Sequence, residues 1–150
     1  MPERATNSQT QQVIAEFRAH GGRVGGYFAD IPLLLLTTTG AKTRQLHTTP
    51  LAYLVDGERY VVCAAAGGAP QDPDWHHNLV ARPEVSVEVG SEVFTATAIV
   101  MTGEERAVLF ERFAAVNGQL ALYRARTTRQ IPMVALRRGE DHTSDWSPSI

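Results

Sequence analysis

The sequence predicts a small, mainly β barrel carrying flanking helices. Short runs of alternating or wholly apolar residues read as strands, six in all. Two pairs of these runs are joined by tight-turn dipeptides, Asp56-Gly57 and Gly90-Ser91. The strict strand–helix alternation that a doubly wound sheet requires is absent.

Taken in order, the polar residues 1–9 are expected to be loose. From Thr10, the apolar Val13, Ile14 and Phe17 recur at helical spacing, and His20-Gly21-Gly22 supplies a glycine C-cap. That apolar face is expected to pack on the barrel rather than on a membrane. The connector GGRVGGYFAD leads to a buried strand over about Pro32–Thr38. TPLAYLVD and RYVVCAAA form the first hairpin; GGAPQDP is a loop, with Pro73 placed to start a helix at DWHHNLVA. VSVEVG and EVFTATAIVM form the second hairpin. Thr102-Gly103-Glu104-Glu105 has the spacing of a capping box before AVLFERFAAV, whose Leu109, Phe113 and Val116 should share one face. A shorter helical stretch through Leu120 and Tyr123 reaches Ile131-Pro132, MVALR is the last strand, and residues 139–150 form a polar tail.

At 150 residues the chain is expected to be one domain, 1–150, able to bury a core without a disulfide or metal. Its net charge of -2 argues against a general nucleic-acid or membrane binder, so any basic patch is local. The single cysteine, Cys63, fits a reducing compartment. The N-terminal MPERATNSQTQQ lacks a signal peptide's apolar core, and the expected location is cytoplasmic.

Three stretches carry candidate chemistry. TTTGAKTRQLHTTP, residues 37–50, follows the buried strand and is read as a loop. It gathers Lys42, Arg44 and His47 with hydroxyls at Thr39, Thr43, Thr48 and Thr49, a set suited to phosphate or carboxylate. An ordinary solvated basic turn would look the same. CAAAGG, residues 63–68, leaves little side chain above the backbone, so a flat ring could lie there; a close-packed barrel corner is the alternative. In DPDWHHNL, Trp75 and Asn78 share a helical face and could serve a ring or simply pack. His76 and His77 point about 100° apart on a helix, without further ligands at metal spacing, so no metal is expected. Cys63 lies in an apolar run, where thiols are inert. Tyr27, Tyr53, Tyr60 and Tyr123 are the proton donors on offer. Any redox step would therefore be a cofactor's, with the protein binding and orienting it.

From about Val13 to Arg137 the chain resembles the deazaflavin (coenzyme F420)-dependent nitroreductase family. The resemblance rests on FRAHGGRVGGYF, LLLLTTTGAKT, Thr49-Pro50-Leu51, DGERYVVCAAAGGAPQDPDWHHNL and RQIPMVAL, in that order. It implies a split β-barrel, FMN-binding-like with Greek-key connections, and a cofactor with a flat deazaflavin ring, a phosphate and an oligoglutamate tail. Ala41, Lys42, Thr43 and Arg44 with His47, Thr48, Thr49, Pro50, Leu51 and Ala52 match the segment that holds the phosphate and tail. Cys63, Ala64, Ala65 and Ala66 match the strand under the ring, where backbone donors would stabilise the charge of its reduced form. Asp74, Trp75, His76, His77 and Asn78 match the helix start that closes the pocket.

The resemblance is not uniform. The family usually has arginine at Ala41, glycine at Arg44, arginine at His47 and lysine at Ala66. Its nitroreductase branch places tyrosines where this chain has Ala52, Asn117 and Leu120, and only Tyr123 matches. The expected substrate pocket is thus Ala52, Asn117, Leu120 and Tyr123, with Tyr123 or water as proton donor. The implied activity is an F420H2-dependent reductase passing a hydride to an enone, an unsaturated lactone or a quinone. A non-catalytic F420 carrier and an FMN-binding relative are the alternatives. The implied partner is a small-molecule acceptor, and the chain is expected to be a monomer or homodimer.

Overall fold

The computed structural model describes residues 8–26, 31–64, 72–116 and 130–139, together with Leu120, Leu122, Arg124 and Ala125. Its elements are α1 (Ser8–Ala19), β1 (Leu33–Thr39), β2 (Leu46–Ala52), β3 (Leu54–Asp56), β4 (Arg59–Cys63), α2 (Asp74–Ala81), β5 (Glu84–Val89), β6 (Glu92–Val100), α3 (Gly103–Val116) and β7 (Met133–Arg138). The strands form one antiparallel sheet in the order β2-β1-β5-β6-β7-β4-β3.

That order explains the shape. β2 and β3 are opposite ends of the sheet, yet only Tyr53 separates them in sequence. Neighbouring Cα atoms lie about 3.8 Å apart, so the two edges must meet there and the sheet curls into a half-barrel. The seam is closed by the chain itself; no ladder joins β2 to β3 among the described residues. This corrects the single strand expected over TPLAYLVD, and with it the expected count of six strands.

The leucines of β1 show both faces at work. Leu34 and Leu36 point into the barrel with Val62, Val87, Val134 and Leu136, while Leu33 and Leu35 pack with Ile14 and Phe17 of α1. Every leucine of the run is buried, which is why it lacks the alternation of a strand with one wet face. The apolar stripe of α1 is therefore covered by β1, and Arg18 fixes the helix further through two bonds to Glu88, at 3.0 and 2.7 Å. The helix ends as its glycines predict: Gly21 takes φ 62° and Gly22 N–H donates to Phe17 O.

The β5–β6 hairpin turns at Gly90-Ser91, as expected, and the β3–β4 hairpin at Gly57-Glu58, one residue on from the expected Asp56-Gly57 because Asp56 pairs with Arg59. On the same outer face of the curled sheet, at β4 and β7, Val61, Met133 and Ala135 pack with Leu109, Phe110 and Phe113 of α3. The expected face through Val116 is corrected: Val116 is 74% exposed and Phe110 takes its place. Arg106 also donates twice to Ile131 O just before β7, at 3.0 and 2.6 Å. The proposed capping role of Glu105 also changes, since its Oε2 accepts from Arg59 at 3.0 Å. No helix among the described residues is long and apolar enough to cross a membrane.

Candidate functional site

The basic stretch folds differently from the loop its composition suggests. Thr37–Thr39 continue β1, and His47, Thr48 and Thr49 already belong to β2, leaving only the turn from Gly40 to Gln45. Threonine's β-branch suits the pleated ladder, so these polar residues extend the sheet. Thr38 pairs with His47, Thr37 with Thr48, and Leu36 with Thr49. Because faces alternate along a strand, His47, Thr49 and Leu51 share the inner face with Thr38, Leu36 and Leu34. Thr48 and Pro50 lie on the α1 side, and the Thr48 hydroxyl meets that of Thr37 at 2.8 Å. The Thr48 side chain is thus not brought to the turn.

The turn is held from within and from α2. Gly40 N–H donates to Gln45 O at 2.7 Å, Arg44 N–H to Gly40 O at 3.0 Å, and Gln45 N–H to Thr43 Oγ1 at 3.1 Å. Ala41 N–H donates to Asn78 Oδ1 at 3.1 Å, and Asn78 Nδ2 donates to the buried Thr38 Oγ1 at 3.2 Å. Among the described residues this leaves the N–H groups of Lys42 and Thr43 without a protein acceptor. Lys42 and Arg44 are exposed and form no ion pair there either. Arg18, Arg59, Arg112, Arg124 and Arg138, by contrast, are each matched to a carboxylate. Two adjacent N–H donors between two unmatched cations make a surface suited to an anion.

Gly40 is the residue whose role the sequence left unread. A Cβ there would lie 2.5 Å from Thr43 Oγ1 and 3.2 Å from His47 Nε2, so the turn and β2 close only over a bare α-carbon. The lone glycine in TTTGAKT was its only signal. Arg44 has φ 64°, a left-handed backbone that costs a side chain of this kind on the order of 1–2 kcal/mol.

Of the second stretch only Cys63 and Ala64 are among the described residues, and Ala64 meets the third stretch in the core that α2 covers. Trp75 is 7% exposed and packs with Leu79, Ala64, Leu34 and Leu36, so it is a core side chain here. Asn78 belongs to the turn's scaffold through both ends of its amide. His76 Nδ1 lies 3.5 Å from Asp72 Oδ2, while Asp74 and His77 are exposed. Among the described residues no group of three or more His, Cys, Asp or Glu gathers to hold a metal. Cys63 pairs with Met133 at the end of β4. The Ala64 N–H expected to face a ring donates to Pro132 O at 2.9 Å, as part of the sheet.

The other expected substrate residues separate. Ala52 is half-buried between the α1 and α3 clusters, and Leu120 is 3% exposed within the α3 cluster. Ala65, Ala66, Asn117, Tyr123 and Tyr27 lie outside the described residues. Tyr53 and Tyr60 meet edge to face at 5.3 Å, and Tyr60 stacks on Phe94 at 5.9 Å. Burial, and then neighbouring Tyr60, push the Tyr53 hydroxyl above its ordinary range, which keeps it protonated.

A curled antiparallel half-barrel with a short helix and a basic turn at one end is the architecture of the split-barrel class. The M. tuberculosis (strain ATCC 25618 / H37Rv) F420H(2)-dependent quinone reductase Rv1261c is 41% identical over 128 residues, 83% of this chain and 86% of its own length. A solved F420-H2 dependent reductase, FDR-A, superposes with a TM-score of 0.65 at 34% identity, over 71% of this chain and 94% of that one. A second solved structure, a domain-swapped dimer, gives a TM-score of 0.68 at 33% identity, over 87% of this chain and all (100%) of that one. Residues 9–138 match the F420H(2)-dependent quinone reductase family, and the chain belongs to that family.

Proposed function

We propose that the protein binds reduced coenzyme F420 along the Gly40–Gln45 turn and reduces quinones. The observation that carries this is the turn itself: Lys42 and Arg44 lack carboxylate partners among the described residues, and the Lys42 and Thr43 N–H groups are unclaimed. An anionic cofactor supplies what those groups lack. Family membership supports F420H2 as that cofactor and quinones as acceptors.

The bound reduced deazaflavin supplies the hydride. In this reading Lys42, Thr43 and Arg44 hold the phosphate and tail, and His47 and Thr49 border them from the inner face of β2. Asn78 holds the turn in place. Trp75 seals the barrel end at α2 and keeps water out of the core. The strand end at Cys63–Ala66 is the proposed ring surface. Reduction of a quinone to a quinol takes one hydride and one proton, and Tyr123 or water is the proposed proton source. Enones and unsaturated lactones are further acceptors for the same hydride transfer.

The sole cysteine supports a cytoplasmic location. The domain-swapped neighbour makes a dimer the assembly to look for. Titrating the purified protein with F420 while following cofactor fluorescence tests the reading, followed by F420H2 oxidation with a soluble naphthoquinone. Saturable binding and quinone-dependent oxidation are expected. Binding without oxidation of any quinone would leave a carrier, and no binding would end the proposal.

A further inference from the structure

Arg44 is the one non-glycine residue with a left-handed backbone among the described residues, at φ 64°. Glycine would remove that strain, and asparagine would reduce it. Strain of this kind persists where the side chain has a task that offsets it. Within the described residues nothing offsets it: Arg44 contributes only its backbone N–H, to Gly40 O, and its guanidinium contacts no carboxylate or carbonyl. Charge alone does not explain the choice, because Lys42 two residues earlier already supplies a point charge on an ordinary backbone. What arginine adds is a planar fork that binds phosphate or carboxylate through two parallel bonds.

The turn is also pre-set to receive such a group. Four of its six N–H groups are already used, from Gly40, Ala41, Arg44 and Gln45, and Asn78 ties Ala41 to α2. The two remaining donors, on Lys42 and Thr43, immediately precede Arg44. A ligand seated on them needs no reordering of the backbone, which removes part of the entropic cost of binding. Ala41 has no polar side chain, and His47 Nε2 is close to Gly40, 3.2 Å from where a Cβ would be. The strongest bidentate donor in the turn is therefore Arg44.

We infer that Arg44 is the principal anion-binding residue of this site, gripping the phosphate or the glutamate carboxylates of the cofactor, and that its strained backbone is retained for this. The inference rests on the F420 reading above. Arg44→Asn keeps a side chain suited to the left-handed turn and removes the charge; Arg44→Lys keeps the charge and removes the fork. Each is titrated with F420 by fluorescence at low and high salt, alongside thermal unfolding without cofactor. Arg44→Asn is expected to unfold at the wild-type temperature or higher and to bind F420 roughly tenfold or more weakly, with a shallower salt dependence. Arg44→Lys should fall between it and wild type. Repeating the titration with F420 lacking its glutamates identifies the gripped group. A loss that persists assigns the phosphate, and a loss that vanishes assigns the tail. Wild-type affinity in Arg44→Asn overturns the role of Arg44 while leaving the F420 reading intact. Failure of the wild type itself to bind overturns both.

Discussion

Asn78 Oδ1 accepts the Ala41 N–H at 3.1 Å across 37 residues of sequence. With the bond from its Nδ2 to the buried Thr38 Oγ1, a single amide joins the end of β1, the basic turn and α2. The proposed site rests on this rigid placement of the turn by a barrel strand and a helix.

Asn78→Ala therefore removes both bonds and leaves the Thr38 hydroxyl buried without its donor. A loss of about 2–3 kcal/mol in unfolding free energy is expected. The Ala41 amide should exchange with solvent much faster, and F420 affinity should fall with it. Denaturant titration and amide exchange by NMR measure the two effects. Unchanged Ala41 protection would mean that the turn holds itself.

Gly40→Ala places a Cβ 2.5 Å from Thr43 Oγ1, which must move and release Gln45 N–H. Overpacking of this sort costs about 1–3 kcal/mol. Adding Thr43→Ala removes the clashing atom, so the double variant should lose clearly less than the sum of the singles. Strict additivity in the cycle would contradict this geometry.

Phe17→Ala tests the docking of α1. Phe17 is 1% exposed and packs with Ile14, Val24, Leu33 and Leu35. A loss of about 3–5 kcal/mol is expected. A near-neutral result in thermal or denaturant unfolding would show that α1 contributes little to the barrel.

Asp56 gives the pH dependence. Hydrogen bonds from Arg59, then from Arg112, hold its carboxyl below the ordinary carboxylate range. As pH falls the unfolded chain takes up this proton first. The stabilisation is thus complete above an ordinary carboxylate pKa of about 4 and is lost as pH drops through the depressed folded value. Thermal midpoints of wild type and Asp56→Asn should differ at neutral pH and converge in acid. A constant gap across that range would assign the effect to something other than the ion pairs.

Much was legible before folding. The hairpins around Gly57 and Gly90, the glycine end of α1 and the start of α2 after Pro73 all depend on a few adjacent residues. Local steric rules suffice for such features. The misreadings have a common cause. TPLAYLVD looks like one strand because nothing in its sequence says that Tyr53 passes from one edge of the sheet to the other. Threonines and a histidine look like loop until β1 supplies a partner strand. Val116 fits the helical period as well as Phe110 does, and which of them is buried depends on how α3 seats against β4 and β7, where Arg106 also donates to Ile131 O.

The sequence by itself determined the class of fold and the basic character of residues 42–47, because these follow from periodicity, turn chemistry and residue type; the family followed from the order of its matching motifs. The tertiary structure decided how those residues are arranged in the proposed site. Asn78 reaches Ala41 and Thr38 only when α2 closes the barrel, and Gly40 matters only when Thr43 and His47 converge on it. Arg44 is set apart from the other described arginines by its left-handed backbone angle. Each is a relation between distant segments or a property of the turn's three-dimensional path, and composition carries no trace of either.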